Sequence, residues 1–320
     1  MKVLVVKTSS MGDVIHAFPA VTDALRARPD LTVDWCVEAP FAELVSLHPG
    51  ISTIHRVSLR GWRKALLSAE TWRAVGSLSR ALREAKYDLV IDVQGLMKSA
   101  FLVKLANAPA AGFDRTSVRE LPASLAYAHA YAVPRDIHAI DRARVLFGKA
   151  LGYEPDLSRL DNGIVAPAPV FPDRGAPTVF LLHGTSRETK KWPVGRWIET
   201  AAALAARGLL PLTTWSSPAE KETAEAIAAA VPSTIVIPRS PLLAIAGEIG
   251  RARLVIGADT GLMHLASAFA LPTVALFVAT RPGLTGPIGP RSVALTPEEG
   301  DGISVGRVLA AAEEMMGKKG

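Results

Sequence analysis

Short runs of apolar, often β-branched residues alternate with longer segments of helical periodicity along almost the whole chain. Most of these runs have the length of a buried strand, and several end in a loop containing glycine, serine or threonine. Such alternation favours an α/β fold, because two parallel strands can be joined only through a crossover, which is usually a helix. The sequence therefore predicts parallel sheets with helices on their faces.

The individual elements follow from the same periodicities. The predicted strands cover residues 2–6, 32–37, 53–57, 89–93, 179–182, 210–214, 235–237, 254–256 and 273–277. A helical pattern follows the first strand and runs to about residue 28. The other predicted helices cover residues 41–47, 62–85, 97–105, 138–151, 195–207, 218–230, 242–250, 262–270 and 305–316.

Residues 160–177 interrupt the alternation. This segment contains four prolines and has no periodicity, as is typical of a linker. A chain of 320 residues is also long for a single hydrophobic core. We therefore expect two doubly wound domains, residues 1–165 and 166–320, with a ligand cleft between them at the carboxyl ends of both sets of strands.

The charge balance suggests a class of partner. The formal net charge is +6 and the sequence pI is about 9.5, which suits nucleic acid, phosphorylated sugars or an acidic membrane face. A basic protein without any such partner has the same composition. The single cysteine, Cys36, allows no intramolecular disulfide and fits a reducing compartment. Without a signal-peptide or membrane-span pattern, a cytoplasmic location is expected, either away from membranes or in contact with a membrane surface.

The loop Lys7–Asp13 directly follows the first predicted strand. It matches neither a Walker A motif nor a G-x-G-x-x-G fingerprint. Loops after the strands of a parallel sheet face the ligand, so Asp13 is a candidate base that takes a proton from an acceptor hydroxyl. An acidic residue at the start of a helix can equally be a capping group. The residues alone leave both interpretations open.

A second loop, residues 183–193, follows the first strand of the second half. Its hydroxyl groups, glycine and two lysines suit a diphosphate, although a solvated loop that caps the next helix has a similar composition. A third loop, residues 257–266, joins a strand to an apolar helix whose N-terminus offers free backbone N–H groups to an anion. There Asp259 either binds a sugar hydroxyl or caps the helix, and His264 is interpreted as structural.

No D-x-D triplet occurs, so a metal held by such carboxylates is not expected. Lysine, backbone N–H groups and a helix dipole would then have to stabilise a diphosphate.

Residues 56–104 contain ten Lys or Arg against four Asp or Glu. This basic stretch is either a solvated helix face or an anion-binding patch for an acceptor. Nothing matches a nucleic-acid module, and nucleic acid is not an expected partner.

Several of these segments resemble the lipopolysaccharide heptosyltransferase family. The resemblance covers nearly the whole chain and is carried by residues 2–16, 60–64, 91–99, 119–120, 190–193 and 259–264. The Asp-Thr-Gly-x-x-His segment at 259–264 marks the broader family. The Lys-Thr-Ser-Ser-Met-Gly-Asp opening at 7–13 is typical of the member that acts first in the series rather than the second.

The resemblance implies a GT-B fold, with two Rossmann-like domains and the active site in the interdomain cleft. It implies transfer of L-glycero-D-manno-heptose from ADP-heptose to a Kdo sugar of Kdo2-lipid A, with inversion and without metal or cofactor. Residues 1–165 would bind the acceptor and residues 166–320 the ADP-heptose, with a C-terminal helix able to pack back on the first domain. The protein would be a cytoplasmic monomer in peripheral contact with the inner membrane.

The resemblance also assigns roles to individual residues. Asp13 becomes the catalytic base, and Lys190 offsets charge on the diphosphate and the sugar. The expected donor contacts are Thr185, Ser186, Thr260, Gly261, Leu262 and His264 around the diphosphate, Asp259 at the heptose, and Glu220 and Ser240 near the adenosine. The expected acceptor contacts are Ser10, Arg60, Arg63, Lys64 and Arg119.

The chain departs from the family pattern at two places. Residues 277–282 replace a Tyr-Gly-Pro-Thr-Asp-Pro-like loop, with Arg281 where an acid is usual, and Ser240 replaces a larger apolar residue.

Three other functions also remain open: a heptosyltransferase that acts later in the core, a GT-B-like nucleotide-sugar epimerase, and a non-catalytic nucleotide-sugar binder. The basic cluster at Arg60 favours an enzyme with an acceptor over an epimerase, which needs none.

Overall fold

The computed structural model of the chain describes residues 1–185, 187–298 and 302–317. Its contacts divide the chain into two compact units, Met1–Val165 and Ala166–Gly320. Each unit is built around one parallel six-stranded sheet. The segment 160–177 has no regular secondary structure, and the division between the units lies within it.

The first unit contains six strands and seven α-helices within its described residues. The strands are β1 (Lys2–Val6), β2 (Thr32–Glu38), β3 (Ile51–Val57), β4 (Leu89–Asp92), β5 (Ala110–Phe113) and β6 (His129–Tyr131). The helices are α1 (Met11–Ile15), α2 (Phe18–Ala27), α3 (Ala42–Val45), α4 (Leu59–Lys64), α5 (Ala69–Glu84), α6 (Met97–Ala106) and α7 (Ala139–Leu151). Short 3-10 helices cover Ala39–Phe41 and Leu121–Ala126.

The second unit repeats this plan. Its strands are β7 (Thr178–Leu182), β8 (Leu210–Thr213), β9 (Ile235–Val236), β10 (Leu254–Ala258), β11 (Thr273–Leu276) and β12 (Ser292–Leu295). Its helices are α8 (Val194–Ala205), α9 (Pro218–Ala230), α10 (Leu242–Gly250), α11 (Gly261–Ala268) and α12 (Val305–Gly317), with a 3-10 helix at Glu188–Lys190. The C-terminal helix α12 packs against α8 and β11 of this unit.

Both sheets have the same strand order. The first runs β3-β2-β1-β4-β5-β6, and the second runs β12-β11-β10-β7-β8-β9. The order reverses between β1 and β4 in the first sheet and between β7 and β10 in the second. Loops at such a reversal diverge to opposite faces of the sheet and leave room for a ligand at the carboxyl ends of the strands. The prediction of two doubly wound parallel sheets is confirmed.

The central strands are buried because helices cover both faces of each sheet. Val179 and Leu181 of β7 pack in one apolar cluster with Trp197 of α8, while the alternate residues Phe180 and Leu182 pack in a second cluster. Residues of opposite parity on a strand point to opposite faces, so both faces of β7 are apolar. This explains why the strands read as continuous apolar runs in the sequence.

The structure corrects several element boundaries. Strands β5, β6 and β12 are absent from the prediction, since β5 is the segment Ala-Ala-Gly-Phe without a β-branched residue and β6 has only three residues. The helix predicted over residues 62–85 is two helices, α4 and α5, because Ser68 begins the second by accepting a hydrogen bond from the Glu70 amide (3.2 Å). The helical pattern after β1 is also two helices, since α2 begins at Phe18 with Pro19 in its first turn, where a proline is tolerated. Within the described residues, no helix has the length and apolar character needed to cross a membrane.

Candidate active site

The loops after β1 and β4 meet at the strand-order reversal of the first sheet. After β4, Asp92 turns the chain by accepting hydrogen bonds from the amides of Gln94 (2.8 Å) and Gly95 (3.1 Å). The Tyr127 hydroxyl donates to its second oxygen (2.8 Å). Complete burial raises the pKa of Asp92, and these hydrogen bonds oppose that shift. Asp92 therefore has a structural role: it fixes the backbone at Gln94 and Gly95.

Gln94 ties the two loops together. Its Oε1 accepts from the amides of Thr8 (2.9 Å) and Ser9 (3.3 Å) and from the Thr8 hydroxyl (3.3 Å). The Trp35 indole donates to the Lys7 carbonyl (3.0 Å) from the neighbouring strand β2. These bonds satisfy buried amides that have no partner in the sheet. They hold the backbone before Asp13 in one conformation.

Asp13 lies in the first turn of α1 with its two oxygens in different surroundings. Oδ2 accepts hydrogen bonds from the Ser10 amide (2.9 Å) and the Ser10 hydroxyl (2.8 Å). Oδ1 lies 3.8 Å from the Lys7 ammonium. The bonds to Ser10 form part of a capping box, so the helix-capping interpretation of Asp13 holds. The capping role engages Oδ2 and leaves Oδ1 directed toward Lys7.

The charge state of Asp13 follows from these neighbours. Burial alone would raise its pKa, but the Lys7 ammonium and the two hydrogen bonds from Ser10 together hold the pKa below its usual value. The carboxylate is therefore ionised at neutral pH. The pKa of Lys7 is itself lowered, because the cost of burying the ammonium exceeds its attraction to Asp13.

Further cations surround this loop. Lys98, in the first turn of α6, donates to the Ser9 hydroxyl (2.9 Å) and lies close enough to Arg60, Arg119 and Asp13 to interact electrostatically with each. The predicted acceptor residues Arg60, Arg63, Lys64 and Arg119 are all exposed. Lys98 was not among the residues singled out, although it lies in the segment 91–99, directly after β4. Lys98 therefore contacts the loop before Asp13, and two of the predicted arginines lie within electrostatic range of Lys98.

In the second unit, four side chains converge where β7 and β10 end. The Lys190 ammonium lies 2.6 Å from Asp259 Oδ2, to which the Thr280 hydroxyl also donates (2.9 Å). His264 Nε2 lies 3.9 Å from Asp259 Oδ1. Burial would raise the pKa of Asp259, but hydrogen bonds from His264, Lys190 and Thr280 outweigh it and hold that pKa far below its usual value. We call these four residues the Asp259 cluster.

The helix α11 begins beside this cluster. Thr260 caps it by accepting from the Met263 amide (3.4 Å), and Gly261 is its first residue. The helix packs close to the sheet: a Cβ on Gly257 would lie 3.1 Å from the Met263 Cβ. The N-terminal amides of α11, including those of Gly261 and Leu262, follow Asp259 directly in the chain and form a positively polarised end of a helix.

The remaining predicted donor residues are distributed around the loop after β7. Glu220 accepts from the amide and hydroxyl of Ser216 (both 2.7 Å) and lies against Gly184, where a Cβ would be 2.9 Å from its carboxyl carbon. The hydroxyl of Thr185 is buried and has no hydrogen-bond partner among the residues that the structure describes. The Ser240 hydroxyl donates to the Pro238 carbonyl (2.8 Å). Ser186 lies outside the described residues.

Sequence reasoning missed Gln94 as the anchor of the first loop and Thr280 as a member of the Asp259 cluster. Both belong to segments that had been quoted: Gln94 follows β4, and Thr280 lies in the loop 277–282 that departs from the family pattern. Across the described parts of the chain, no group of three or more His, Cys, Asp or Glu side chains is arranged to hold a metal ion.

Two Rossmann-like units, each with polar and charged loops at its strand-order reversal, define the GT-B class of glycosyltransferases. Comparison with known proteins narrows the class. The family model of glycosyltransferase family 9 (heptosyltransferase) matches residues 75–310. The lipopolysaccharide heptosyltransferase 1 of Pseudomonas aeruginosa is 44% identical over 299 residues, which cover 92% of this chain and 83% of that protein.

Solved structures agree with this match. The E. coli heptosyltransferase WaaC with ADP superimposes with a TM-score of 0.93 at 36% identity, covering 98% of this chain and 100% of that one. The same E. coli enzyme with ADP-2-deoxy-2-fluoro heptose gives a TM-score of 0.90 at 35% identity, covering 98% and 99%. The chain therefore belongs to glycosyltransferase family 9, the heptosyltransferases.

Proposed function

We propose that the protein transfers L-glycero-D-manno-heptose from ADP-heptose to a Kdo sugar of Kdo2-lipid A, with inversion at the anomeric carbon and without a metal. The name of the Pseudomonas relative supports the reaction, and the E. coli structures hold ADP and a fluorinated ADP-heptose. The observation that carries the proposal is the ionised Asp13 carboxylate, fixed by Ser10 and Lys7 at the carboxyl end of β1.

An inverting transfer is a single displacement. The acceptor hydroxyl oxygen forms a bond to the anomeric carbon, the bond from that carbon to the ADP oxygen breaks, and the hydroxyl proton passes to a base. Asp13 Oδ1 is the proposed base, since Oδ2 is engaged with Ser10. A carboxylate of low pKa is sufficient here, because a hydroxyl becomes strongly acidic once it bonds to a carbon of oxocarbenium character.

The departing ADP carries the negative charge that develops in this step. Lys190 and the N-terminal amides of α11 at Thr260, Gly261 and Leu262 would stabilise it, with Thr185, Ser186 and His264 also around the diphosphate. Asp259 would hold hydroxyls of the heptose. Glu220 and Ser240 would lie near the adenosine. In this assignment, fixed cations and helix dipoles replace the metal that other sugar transferases use.

The acceptor is anionic, and the cationic groups beside Asp13 suit it. Ser10, Arg60, Arg63, Lys64 and Arg119 are the proposed acceptor contacts. Since lipid A is a membrane lipid, the enzyme would work at the cytoplasmic face of the inner membrane, in peripheral contact with it. A monomer is proposed from the resemblance to the family. The net charge of +6 favours approach to an anionic surface.

The test is turnover of ADP-heptose with Kdo2-lipid A by Asp13→Asn, measured as ADP release. Asn keeps an oxygen for the Ser10 amide but cannot take a proton, so kcat is expected to fall by about 10²- to 10⁴-fold while the melting temperature stays near that of the wild type. ADP-heptose should still bind the variant. Near-normal kcat in Asp13→Asn would remove Asp13 from the role of base.

The acceptor is tested with the wild-type enzyme. Kdo2-lipid A and its monoheptosylated product are compared side by side, and activity is expected on Kdo2-lipid A. Faster turnover of the monoheptosylated acceptor would instead assign the enzyme to a later step of the core. Product formed from ADP-heptose in the absence of any acceptor would indicate an epimerase.

A further inference from the structure

Large apolar side chains are exposed in three neighbouring segments of the first unit. Leu67 is fully exposed and Leu125 is 70% exposed, whereas a soluble surface usually shows such side chains only singly. We call the set the apolar edge. Its members are Leu66, Leu67, Trp72, Met97, Phe101, Leu121 and Leu125.

The topology places the apolar edge at the carboxyl ends of the strands. Leu66, Leu67 and Trp72 follow β3 and begin α5, Met97 and Phe101 follow β4 and begin α6, and Leu121 and Leu125 follow β5. Segments that follow parallel strands lie at one edge of the sheet. The Asp13 loop follows β1 and shares that edge.

Direct contacts join the three segments. The Trp72 indole donates to the Leu66 carbonyl (2.8 Å), which fixes the turn before α5. Helix α6 packs against α5 on one side and against the 3-10 helix Leu121–Ala126 on the other. The Met97 amide donates to Glu120 (2.6 Å), next to Leu121. The exposed apolar side chains therefore stand on elements that pack side by side.

Cations accompany the apolar edge. Arg60, Arg63 and Lys64 on α4 lie directly before Leu66, and Arg119 lies just before Leu121. The segments 59–72, 97–101 and 119–125, which carry the apolar edge, contain five Lys or Arg against two acids, Glu70 and Glu120. Exposed leucine and tryptophan beside lysine and arginine are the composition of surfaces that enter the headgroup region of an anionic bilayer.

We propose that the apolar edge docks the enzyme on an anionic phospholipid bilayer by inserting Leu67, Trp72 and Leu125 among the headgroups. The inference rests on the proposed function in that the acceptor is a membrane lipid, and it adds the surface and the lipid chemistry. The cations supply the complementary charge. Because Asp13 shares this edge of the sheet, docking presents the proposed base toward the membrane that holds the acceptor.

The experiment is co-sedimentation of the full-length protein with vesicles that contain no Kdo lipid. One set contains phosphatidylcholine and about 30% phosphatidylglycerol, and the other contains phosphatidylcholine alone. Binding is expected to be at least about tenfold stronger on the anionic vesicles, because each Lys or Arg near such a surface contributes about fivefold. Leu67→Ser and Leu125→Ser should each weaken it by about tenfold or more, since burying one leucine strengthens partitioning by about ten- to hundredfold.

Leu157→Ser is the matched control. Leu157 is an exposed leucine of the same unit and follows the C-terminal end of α7. The Arg28 guanidinium donates to the Leu151 carbonyl (3.2 Å), so this end of α7 lies near the start of β2, away from the carboxyl ends of the strands. This variant should bind vesicles like the wild type. Equal vesicle binding by Leu67→Ser, Leu125→Ser and the wild type, or no binding by the wild type, overturns the proposal. Concentration-dependent self-association that Leu67→Ser abolishes would assign the surface to a second copy instead.

A soluble, deacylated Kdo acceptor separates this proposal from the proposed function. Leu67→Ser and Leu125→Ser should turn it over with the wild-type kcat/KM, because neither residue belongs to the proposed catalytic or binding groups. If the wild type uses the soluble acceptor but does not bind vesicles, only the docking surface is wrong. If the wild type binds vesicles but transfers no heptose to either acceptor, the proposed function is wrong and the docking surface stands.

Discussion

Replacing Lys7 with methionine should move the acid limb of the pH–activity profile to higher pH. The Lys7 ammonium is the first of the groups that lower the pKa of Asp13, and burial acts in the opposite direction. Methionine fills a similar volume without charge, so only the Ser10 hydrogen bonds and the weaker interaction with His16 would then oppose the effect of burial on the pKa. The pKa of Asp13 should rise, and with it the pH below which the proposed base is protonated and inactive.

The size of the shift follows from the distance of 3.8 Å between the Lys7 ammonium and Asp13 Oδ1. Two unit charges at that separation interact by about 1 kcal/mol in water and about 4 kcal/mol at the effective dielectric constant of a protein surface. Because Lys7 is buried and Asp13 is partly buried, we expect the interaction to lie toward the larger of these two values. With about 1.4 kcal/mol for each pKa unit, the acid limb should move upward by about 1–3 units.

The assay is kcat/KM for the acceptor, measured by ADP release between about pH 4 and pH 8 with ADP-heptose saturating. The wild type should lose activity only at the acidic end of this range, because its Asp13 has a lowered pKa. Lys104→Met is the control, since Lys104 is an exposed lysine at the other end of α6. An acid limb that coincides in Lys7→Met and the wild type would refute the electrostatic account of Asp13.

Three further outcomes follow from the described contacts. Lys190→Met should raise the KM for ADP-heptose and lower kcat, because the cation 2.6 Å from Asp259 is lost; unchanged donor kinetics would exclude Lys190 from the site. Gln94→Leu should destabilise the fold by about 1–3 kcal/mol and reduce kcat, because the buried Thr8 and Ser9 amides lose their acceptor. Gln94→Glu, which keeps an acceptor oxygen, is the comparison, and a melting temperature of Gln94→Leu equal to that of Gln94→Glu would contradict this. EDTA should leave turnover unchanged, and loss of activity with chelator, restored by added metal, would overturn the metal-free mechanism.

The periodicity of the sequence was sufficient for the central strands and most of the longer helices. Strands β1, β4, β7 and β10 are apolar runs buried on both faces, and burial is what the pattern reports. The edge strands β3 and β9 were predicted as well, but the edge strands β6 and β12 have no such signal. The three residues of β6 and the partly buried β12 become strands only because a neighbouring strand offers them hydrogen bonds. That pairing depends on tertiary structure.

The candidate site shows the same division. Its loops could be located because they follow apolar strands, and Asp13, Lys190 and Asp259 all lie in them. Their partners could not be derived from spacing, because Lys190 and Asp259 are 69 positions apart and Thr8 and Gln94 are 86 apart. Only the strand order β1-β4 and β7-β10 brings these loops together. An aspartate that caps a helix and one that acts as a base also have the same sequence pattern. Only the structure shows that Oδ2 of Asp13 accepts from Ser10 while Oδ1 faces Lys7.

The ion pair of Lys190 and Asp259 has a consequence for the speed of the catalytic cycle. The Lys190 ammonium lies 2.6 Å from the Asp259 carboxylate. In the proposed reaction, every phosphate ligand must compete with this internal anion, so ADP-heptose and the product ADP both bind less tightly than they would to an uncompensated lysine. Under the proposed function, Asp259 would offset part of the attraction between Lys190 and the departing ADP. We therefore expect the pair to lower the affinity for the donor and to speed release of the product.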